Sequence, residues 1–249
     1  MNILITNDDG ISCNGILALE QVFKKKHNTF LIAPMKERSA TSMALTVFDK
    51  MRVEKIFDDH YIVDGYPVDC VNIGLHGDIF PKIDLVLSGV NKGVNMGYDV
   101  LYSGTVGAAR HAVVHGYYGI AISSGKVDLY ADFTDEAEMT LQFVDTYFSK
   151  LKNNVVYSMN FPIGFQKDLS NFVPSRLGKR TYFDTYTKST ILGGVSEFFL
   201  GGSELGFLNE KDSDFDVYSK KLIPITAIGL NSTDEEENSK LKSVFDGSF

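Results

Sequence analysis

The first fifteen residues, Met1 to Gly15 (MNILITNDDGISCNG), constrain the chain more than any other stretch. Ile3, Leu4 and Ile5 form an apolar run too short for a helix, which reads as a buried strand. Asn7, Asp8, Asp9 and Gly10 then turn the chain. Behind Asn14 and Gly15, the residues Ile16, Leu19, Val22 and Phe23 recur at helical spacing. Two adjacent carboxylates therefore stand at the C-terminal end of the first strand of an α/β unit. That is the edge at which open parallel sheets bind ligands. Side-by-side carboxylates repel unless a cation lies between them or one takes a proton. A hard divalent ion with oxygen ligands suits the pair. A solvated Asp-Asp-Gly turn is the other reading that these residues allow.

The same alternation continues. Phe30 to Ala33 reads as a second strand ended by Pro34, followed by a polar, hydroxyl-rich loop from Met35 to Met43. Ser39, Thr41 and Ser42 in that loop can coordinate an ion or bind an oxyanion, and Arg38 can pair with phosphate. Met51 to Ile56 and Tyr61 to Val63 read as short strands, and Pro67 opens a short helix through Leu75. Ile83 to Leu87 is a further buried strand. Gly119 to Ser123 and Val155 to Asn160 are two more, separated by the clearest helix, Thr134 to Leu151. Strand and helix in alternation predict a mostly parallel sheet covered on both faces.

The densest stretch runs from Ser88 to Arg110. Gly89, Gly93 and Gly97 recur every four residues, with Asn91 and Asn95 between them. Glycine admits close backbone approach to a ligand. Asparagine offers an oxygen to a metal and an NH₂ group to an anion. Ser103-Gly104-Thr105 then opens a helix, and a helix N-terminus with small hydroxyl residues is a phosphate site by geometry. The lysine spacing is not that of a Walker motif, and no GxGxxG follows the first strand.

Charge and cysteine content exclude several classes. The net charge is −8 and no basic stripe is evident, which argues against duplex nucleic acid as a partner. No apolar run approaches a membrane span, and no signal-peptide pattern precedes the first strand, so a cytoplasmic location is expected. Cys13 and Cys70 form no CxxC pair and are expected as free thiols. His111 and His115 are four apart and read as ordinary helix residues.

After about residue 163 helical periodicity fades. Tyr182, Phe183 and Tyr186 appear, then Gly193-Gly194 and Gly201-Gly202, with strands expected at Val195 to Leu200 and Leu222 to Ile228. This predicts an appended region of hairpins, whose strand edges invite pairing between subunits. Thr233 with Glu236 has the form of a capping box for a last helix.

Four blocks, in order, resemble the SurE family of metal-dependent nucleoside monophosphate phosphatases. They are Ile5-Thr-Asn-Asp-Asp-Gly10, Ala33-Pro with Arg38-Ser39, Ser88-Gly-Val-Asn-Lys-Gly-Val-Asn95, and Tyr102-Ser-Gly-Thr-Val106. Met159-Asn-Phe-Pro162 is a weaker fifth. The resemblance implies an α/β, Rossmann-like three-layer core with a C-terminal extension involved in oligomerisation. Applied to this chain, it gives a single domain over residues 1–249, with the catalytic core in 1–162 and the extension in 163–249. It implies one divalent ion, Mg²⁺ or Mn²⁺, on Asp8, Asp9, Ser39 and Asn91. It places phosphate against Asn95, Ser103, Gly104 and Thr105, and a homodimer or homotetramer as the assembly. Departures occur at Tyr66, at Arg110 or His111 with Ala112, and at Thr226-Ala227-Ile228.

The expected activity is hydrolysis of nucleoside monophosphates to nucleoside and phosphate, as a 5'-nucleotidase. Asp8 and Asp9 are the candidate catalytic residues, and nucleophile, general base and metal ligand are the roles open to Asp8. The rival reading is a non-catalytic metal- or phosphate-sensing α/β module. A receiver of that kind needs an acceptor aspartate after its third strand, where this chain has Ser88 and Gly89.

Overall fold

The structure is a computed structural model that describes residues 1–190, 193–201, 206–208 and 210–246. Strand β1 (Asn2–Thr6) leads into helix α1 (Asn14–Phe23), and β2 (Asn28–Pro34) follows. Two short strands, β3 (Val53–Phe57) and β4 (His60–Val63), precede α2 (Pro67–His76). Then come β5 (Leu85–Lys92), α3 (Gly104–Val114), β6 (Tyr118–Ser124), α4 (Thr134–Tyr147) and β7 (Val155–Phe161). The C-terminal third holds β8 (Phe172–Pro174), β9 (Arg180–Thr181), β10 (Thr185–Thr190), β11 (Ser196–Gly201) and β12 (Gly206–Phe207). It ends with α5 (Asp214–Ser219), β13 (Ile223–Gly229) and α6 (Glu235–Phe245).

One sheet carries the fold, in the order β3-β4-β2-β1-β5-β6-β7-β13-β8. From β4 through β7 each neighbouring pair is parallel, as the strand–helix alternation predicts. Successive side chains on a strand face opposite sides. Ile3 and Ile5 accordingly join the core under α1 and α4, with Leu19, Phe23 and Val144. Leu4 joins the opposite core, with Val71 of α2 and Ala108 of α3. The chain leaves β1 toward β2 on one side and returns to place β5 on the other. The carboxyl ends of β1 and β5 thus flank the switch point, where an α/β sheet opens a crevice.

Several expectations change. The glycine-rich stretch begins as strand, because β5 continues through Ser88 to Lys92, with its register against β6 shifting between Ser88 and Asn91. Helix α4 ends at Tyr147, and Phe148–Lys150 tighten into a 3₁₀ turn. The last helix starts one residue later than the Thr233 box implies. Asp234 is its N-cap and its carboxylate accepts from the Glu237 N–H, a charged acceptor at the positive end of the helix dipole. Residues 223–229, expected within the appended region, return to the main sheet as β13, antiparallel to β7. The part that stands off the sheet is therefore shorter: the β10–β11 hairpin and the small β9–β12 pair. Gly202 lies outside the described residues. Cys13 and Cys70 are free, buried thiols. No helix among the described residues is long and apolar enough to cross a membrane.

Helix α1 reaches the crevice because Gly15 has no side chain. A Cβ there would lie 2.0 Å from the Val90 carbonyl oxygen of β5. That oxygen is backbone and cannot rotate away. Gly15→Ala is expected to cost about 1–3 kcal/mol by overpacking. A urea titration measures it, and an unchanged midpoint would refute the contact.

Candidate functional site

The turn after β1 is closed by its own asparagine. Asn7 accepts from the Gly10 N–H at 3.1 Å and donates its Nδ2 to the Gly10 carbonyl at 2.8 Å. Gly10 has a φ of +104°, outside the range ordinary side chains favour. Asp8 and Asp9 are fixed inside this loop and both are buried. The loop after β2 is tied to it, since the Arg38 N–H donates to the Asp8 carbonyl at 2.8 Å.

The start of α3 points at Asp8. The Thr105 hydroxyl donates to Asp8 Oδ1 at 2.6 Å, and the Thr105 N–H donates to Oδ2 at 3.2 Å. Ser103 is the N-cap, its hydroxyl accepting from the Val106 N–H at 3.1 Å. Gly104 is needed by proximity: a Cβ would meet Asp8 Oδ2 and Thr41 Oγ1, each at 3.0 Å. The unpaired N–H groups of a helix start favour an anion. Here that anion is a side chain of the protein. Ser103–Thr105 was expected to face phosphate. Thr105 is instead fully buried with its donors on Asp8, while Ser103 lines the open cavity.

Electrostatics set the two carboxylates apart. Burial pushes the Asp8 carboxyl up to about 6, the Thr105 hydroxyl pulls it back, and the charge of Asp9 adds to the rise. Burial also raises Asp9, opposed by the Lys92 ammonium. Lys92 Nζ lies 3.5 Å from Asp9 Oδ1 and 2.9 Å from Glu37 Oε1. The hydrogen bond from Lys92 holds Glu37 below the ordinary carboxylate range.

A cavity of about 730 Å³ opens in front of these groups. Asp8, Ser39, Asn91, Asn95 and Ser103 line it together, so five of the eight candidate residues share one space. Ser39 donates to Glu37 Oε1 at 2.8 Å, which leaves its oxygen lone pairs for another partner. Asn91 donates Nδ2 to the Gly93 carbonyl at 2.8 Å, turning its Oδ1 the other way. Asn95 is held by exchange with Asn160: its N–H donates to Asn160 Oδ1 at 2.8 Å, and Asn160 Nδ2 donates to the Asn95 carbonyl at 3.1 Å. That exchange explains the Met159-Asn-Phe-Pro162 block. The other walls include Asp99, Tyr102, Arg180 and Tyr182. Tyr182 meets Tyr102 edge-on, with centroids 6.1 Å apart at 88°.

The donor set fits a hard cation. Among the described residues no group of three or more His, Cys, Asp or Glu side chains could hold a metal. An ion here would rest on two carboxylates completed by a hydroxyl and an amide oxygen, an all-oxygen set. Burial pushes both acids up, and a cation held between them would favour their charged forms.

Other loop candidates serve structure. Thr41 donates to the Arg38 carbonyl at 2.9 Å, and Ser42 donates to the Leu101 carbonyl at 2.7 Å. Arg38 turns away to Asp64 and the Gly65 carbonyl. Sequence reasoning missed Glu37, Lys92, Asp99, Arg180 and Tyr182 as parts of the site. Lys92 lay inside a recognised block, and its ammonium was the only local signal. The 180–184 segment carried no signal, because it reaches the cavity from the far end of the chain.

Removing the Thr105 hydroxyl tests the Asp8 clamp. Thr105→Val is expected to raise the Asp8 pKa above its already high value and to cost about 1–3 kcal/mol of stability. Thr105→Ser is expected to restore both. Carboxyl-carbon NMR titration reads the first effect, and an Asp8 titration identical in Thr105→Val and the parent would exclude the clamp.

Residues 3–184 match the family model described as survival protein SurE. A protein named 5'-nucleotidase SurE from Leptospira interrogans is 58% identical over 234 residues, covering 94% of each chain. One of the same name from Leptospira biflexa is 54% identical over 246 residues, covering 98% of each. The crystal structure of the SurE protein from Aquifex aeolicus superposes with a TM-score of 0.83 at 28% identity, over 99% of this chain and 100% of that one. With the strand–Asp-Asp–helix unit, the asparagine pair and the Ser-Gly-Thr helix start in one crevice, the chain belongs to the SurE family.

Proposed function

We propose that this protein is a metal-dependent 5'-nucleotidase that hydrolyses nucleoside monophosphates to nucleoside and phosphate. The observation that carries the reading is the Asp8 carboxylate, clamped through both oxygens by Thr105 and lining the cavity with Ser39, Asn91, Asn95 and Ser103. The curated relatives bear the name of that activity.

Asp8, Asp9, Ser39 and Asn91 are the residues that would hold one divalent ion, Mg²⁺ or Mn²⁺. Such an ion supplies charge to the phosphoryl oxygens and acidity to a bound water. Asn95 and Ser103 offer neutral polar groups on the cavity wall, suited to orienting a phosphate. Thr105 and Gly104 act through Asp8: one fixes its oxygens, and the other leaves room for it. Asp8 lines the cavity, which places its carboxylate to move a proton during hydrolysis. Tyr102 and Tyr182 give the substrate ring an aromatic wall.

Phosphate release from a panel of purine and pyrimidine monophosphates tests this. Turnover is expected to vanish with chelator and return with Mn²⁺. Added Mn²⁺ should also raise the melting temperature of the parent through linkage, and should do so much less for Asp9→Asn. Asp9→Asn should lose activity by orders of magnitude while remaining folded. Full turnover in the presence of chelator, or in Asp9→Asn at limiting Mn²⁺, would reject the assignment.

The assembly we propose is a homodimer or homotetramer built through the hairpin arm. Both strands of the β10–β11 hairpin are largely exposed, and Tyr186, Phe198 and Phe199 lie open on it. Apolar surface of this kind marks an interaction site. Light scattering should give a dimer or tetramer, and Phe198→Asp with Phe199→Asp should lower the mass. A monomeric parent would end this part of the reading.

A further inference from the structure

A second cavity, about 680 Å³, lies behind the wall of the first and shares no lining residue with it. Ser42 makes the partition. Its N–H and hydroxyl donate to the Tyr102 and Leu101 carbonyls at 2.8 and 2.7 Å. Ala40 and Tyr102 face the catalytic cavity, while Met43 and Leu101 face the second one. The far side of the second cavity comes from Arg110 on α3, the 175–177 segment, and β13 with the residues after it.

Two features set this space apart. Its lining contains no Asp or Glu, in a chain of net charge −8. It also holds the one arginine without a counter-charge among the described residues. The other four each face a carboxylate: Arg38 on Asp64, Arg52 on Glu54, Arg176 on Glu210 and Arg180 on Asp99. Arg110 Nε is buried with no hydrogen-bond partner. A guanidinium keeps its charge in a protein, so holding it half-buried and without a carboxylate carries a cost that an anion would relieve. Arg176 brings a second guanidinium to the same cavity. Ser175 and Thr226 hydroxyls, 2.8 Å apart, bond to each other and leave one hydroxyl hydrogen to donate. Asn231 uses its Oδ1 on the Thr233 N–H at 2.8 Å, so its NH₂ group is available. Val100, Leu101, Ile228 and Leu230 are among the apolar residues of the remaining wall.

We propose that this cavity is a second ligand site, which takes a small organic phosphate with its anionic head on Arg110 and its body on the apolar wall. The planar fork of Arg110 matches two phosphate oxygens at once. The neutral donors of the 226–232 segment complete the head group's shell. The volume is that of an ordinary small-molecule pocket. The site is independent of the reaction proposed for the first cavity.

Calorimetric titration of the full-length protein with phenylphosphonate tests it, since the carbon–phosphorus bond of this probe resists a phosphatase. Binding is expected in the parent and, undiminished, in Asp9→Asn, a change at the proposed metal site and outside the lining of this cavity. Arg110→Met should weaken binding by about tenfold or more, the scale of one lost charge-assisted pair. Arg110→Lys should fall between them. Arg110→Met should turn over nucleotide as the parent does, and its melting temperature checks its fold; Arg110→Gln replaces it if it fails to fold. Benzoate should bind more weakly than the phosphonate. No binding to the parent overturns the proposal, as does binding lost in Asp9→Asn but kept in Arg110→Met. Benzoate binding as tight as the phosphonate overturns the phosphate assignment. A changed oligomeric mass in Arg110→Met with unchanged probe affinity would put Arg110 against a second copy instead, and would overturn it too.

Discussion

The pair of hydrogen bonds from Thr105 to Asp8 is the contact on which the site depends. It joins the end of β1 to the start of α3, residues 97 positions apart in the chain. A buried carboxylate would otherwise face the full cost of desolvation. The helix start offsets part of that with a hydroxyl, an N–H and the positive end of its dipole. The arrangement also explains why Gly104 has no side chain, since a methyl group there would press on Asp8. A motif that looks like a phosphate cradle is thus first a cradle for the protein's own acid. Ser103 and Asn95 beside it line the open cavity and are the residues we propose for the substrate phosphate.

The second acid is managed differently. Asp9 sits beside Lys92, which also grips Glu37 on the loop that carries Ser39. One ammonium therefore connects the turn after β1, the end of β5 and the loop after β2. This network holds Ser39 and Asn91 at the cavity with their oxygens unspent. The same loop, through Ser42, separates the first cavity from the second. Both spaces are products of how α3 packs against residues 39–43: a Cβ on Gly107 would lie 2.1 Å from the Ser42 carbonyl oxygen.

Much of this was legible in the chain. Apolar runs such as Ile3–Ile5 and Gly119–Ser123 specify buried strands because parallel sheets are covered on both faces. The spacing of Ala137, Leu141 and Val144 specifies a helix because one face must meet the core. The adjacent acids, the two asparagines and the Ser-Gly-Thr start marked the site, since each is a residue type with a limited chemical repertoire at an element's end. The departures came where local pattern and long-range pairing compete. The strand expected over Ile83 to Leu87 continues through Ser88 to Lys92, because β1 and β6 on either side supply hydrogen bonds to Ser88 and its neighbours. Residues 223–229 read as part of an appendage, but the free edge of β7 captures them.

The family was carried by the resemblance of ordered motif blocks, and the sequence by itself determined most of the elements and the placing of two acids at a strand end. These follow from periodicity and from residue chemistry, which act over a few neighbouring positions. Only the tertiary structure decided where each polar group was spent. Thr105 turned to Asp8, Arg38 turned to Asp64, Asn160 paired with Asn95, and Tyr182 arrived at the cavity from the C-terminal third. Arg110 was left facing a cavity free of carboxylates. A hydrogen-bond donor has many acceptors within reach along a chain, and its choice is fixed by distance and burial after the sheet and helices have packed.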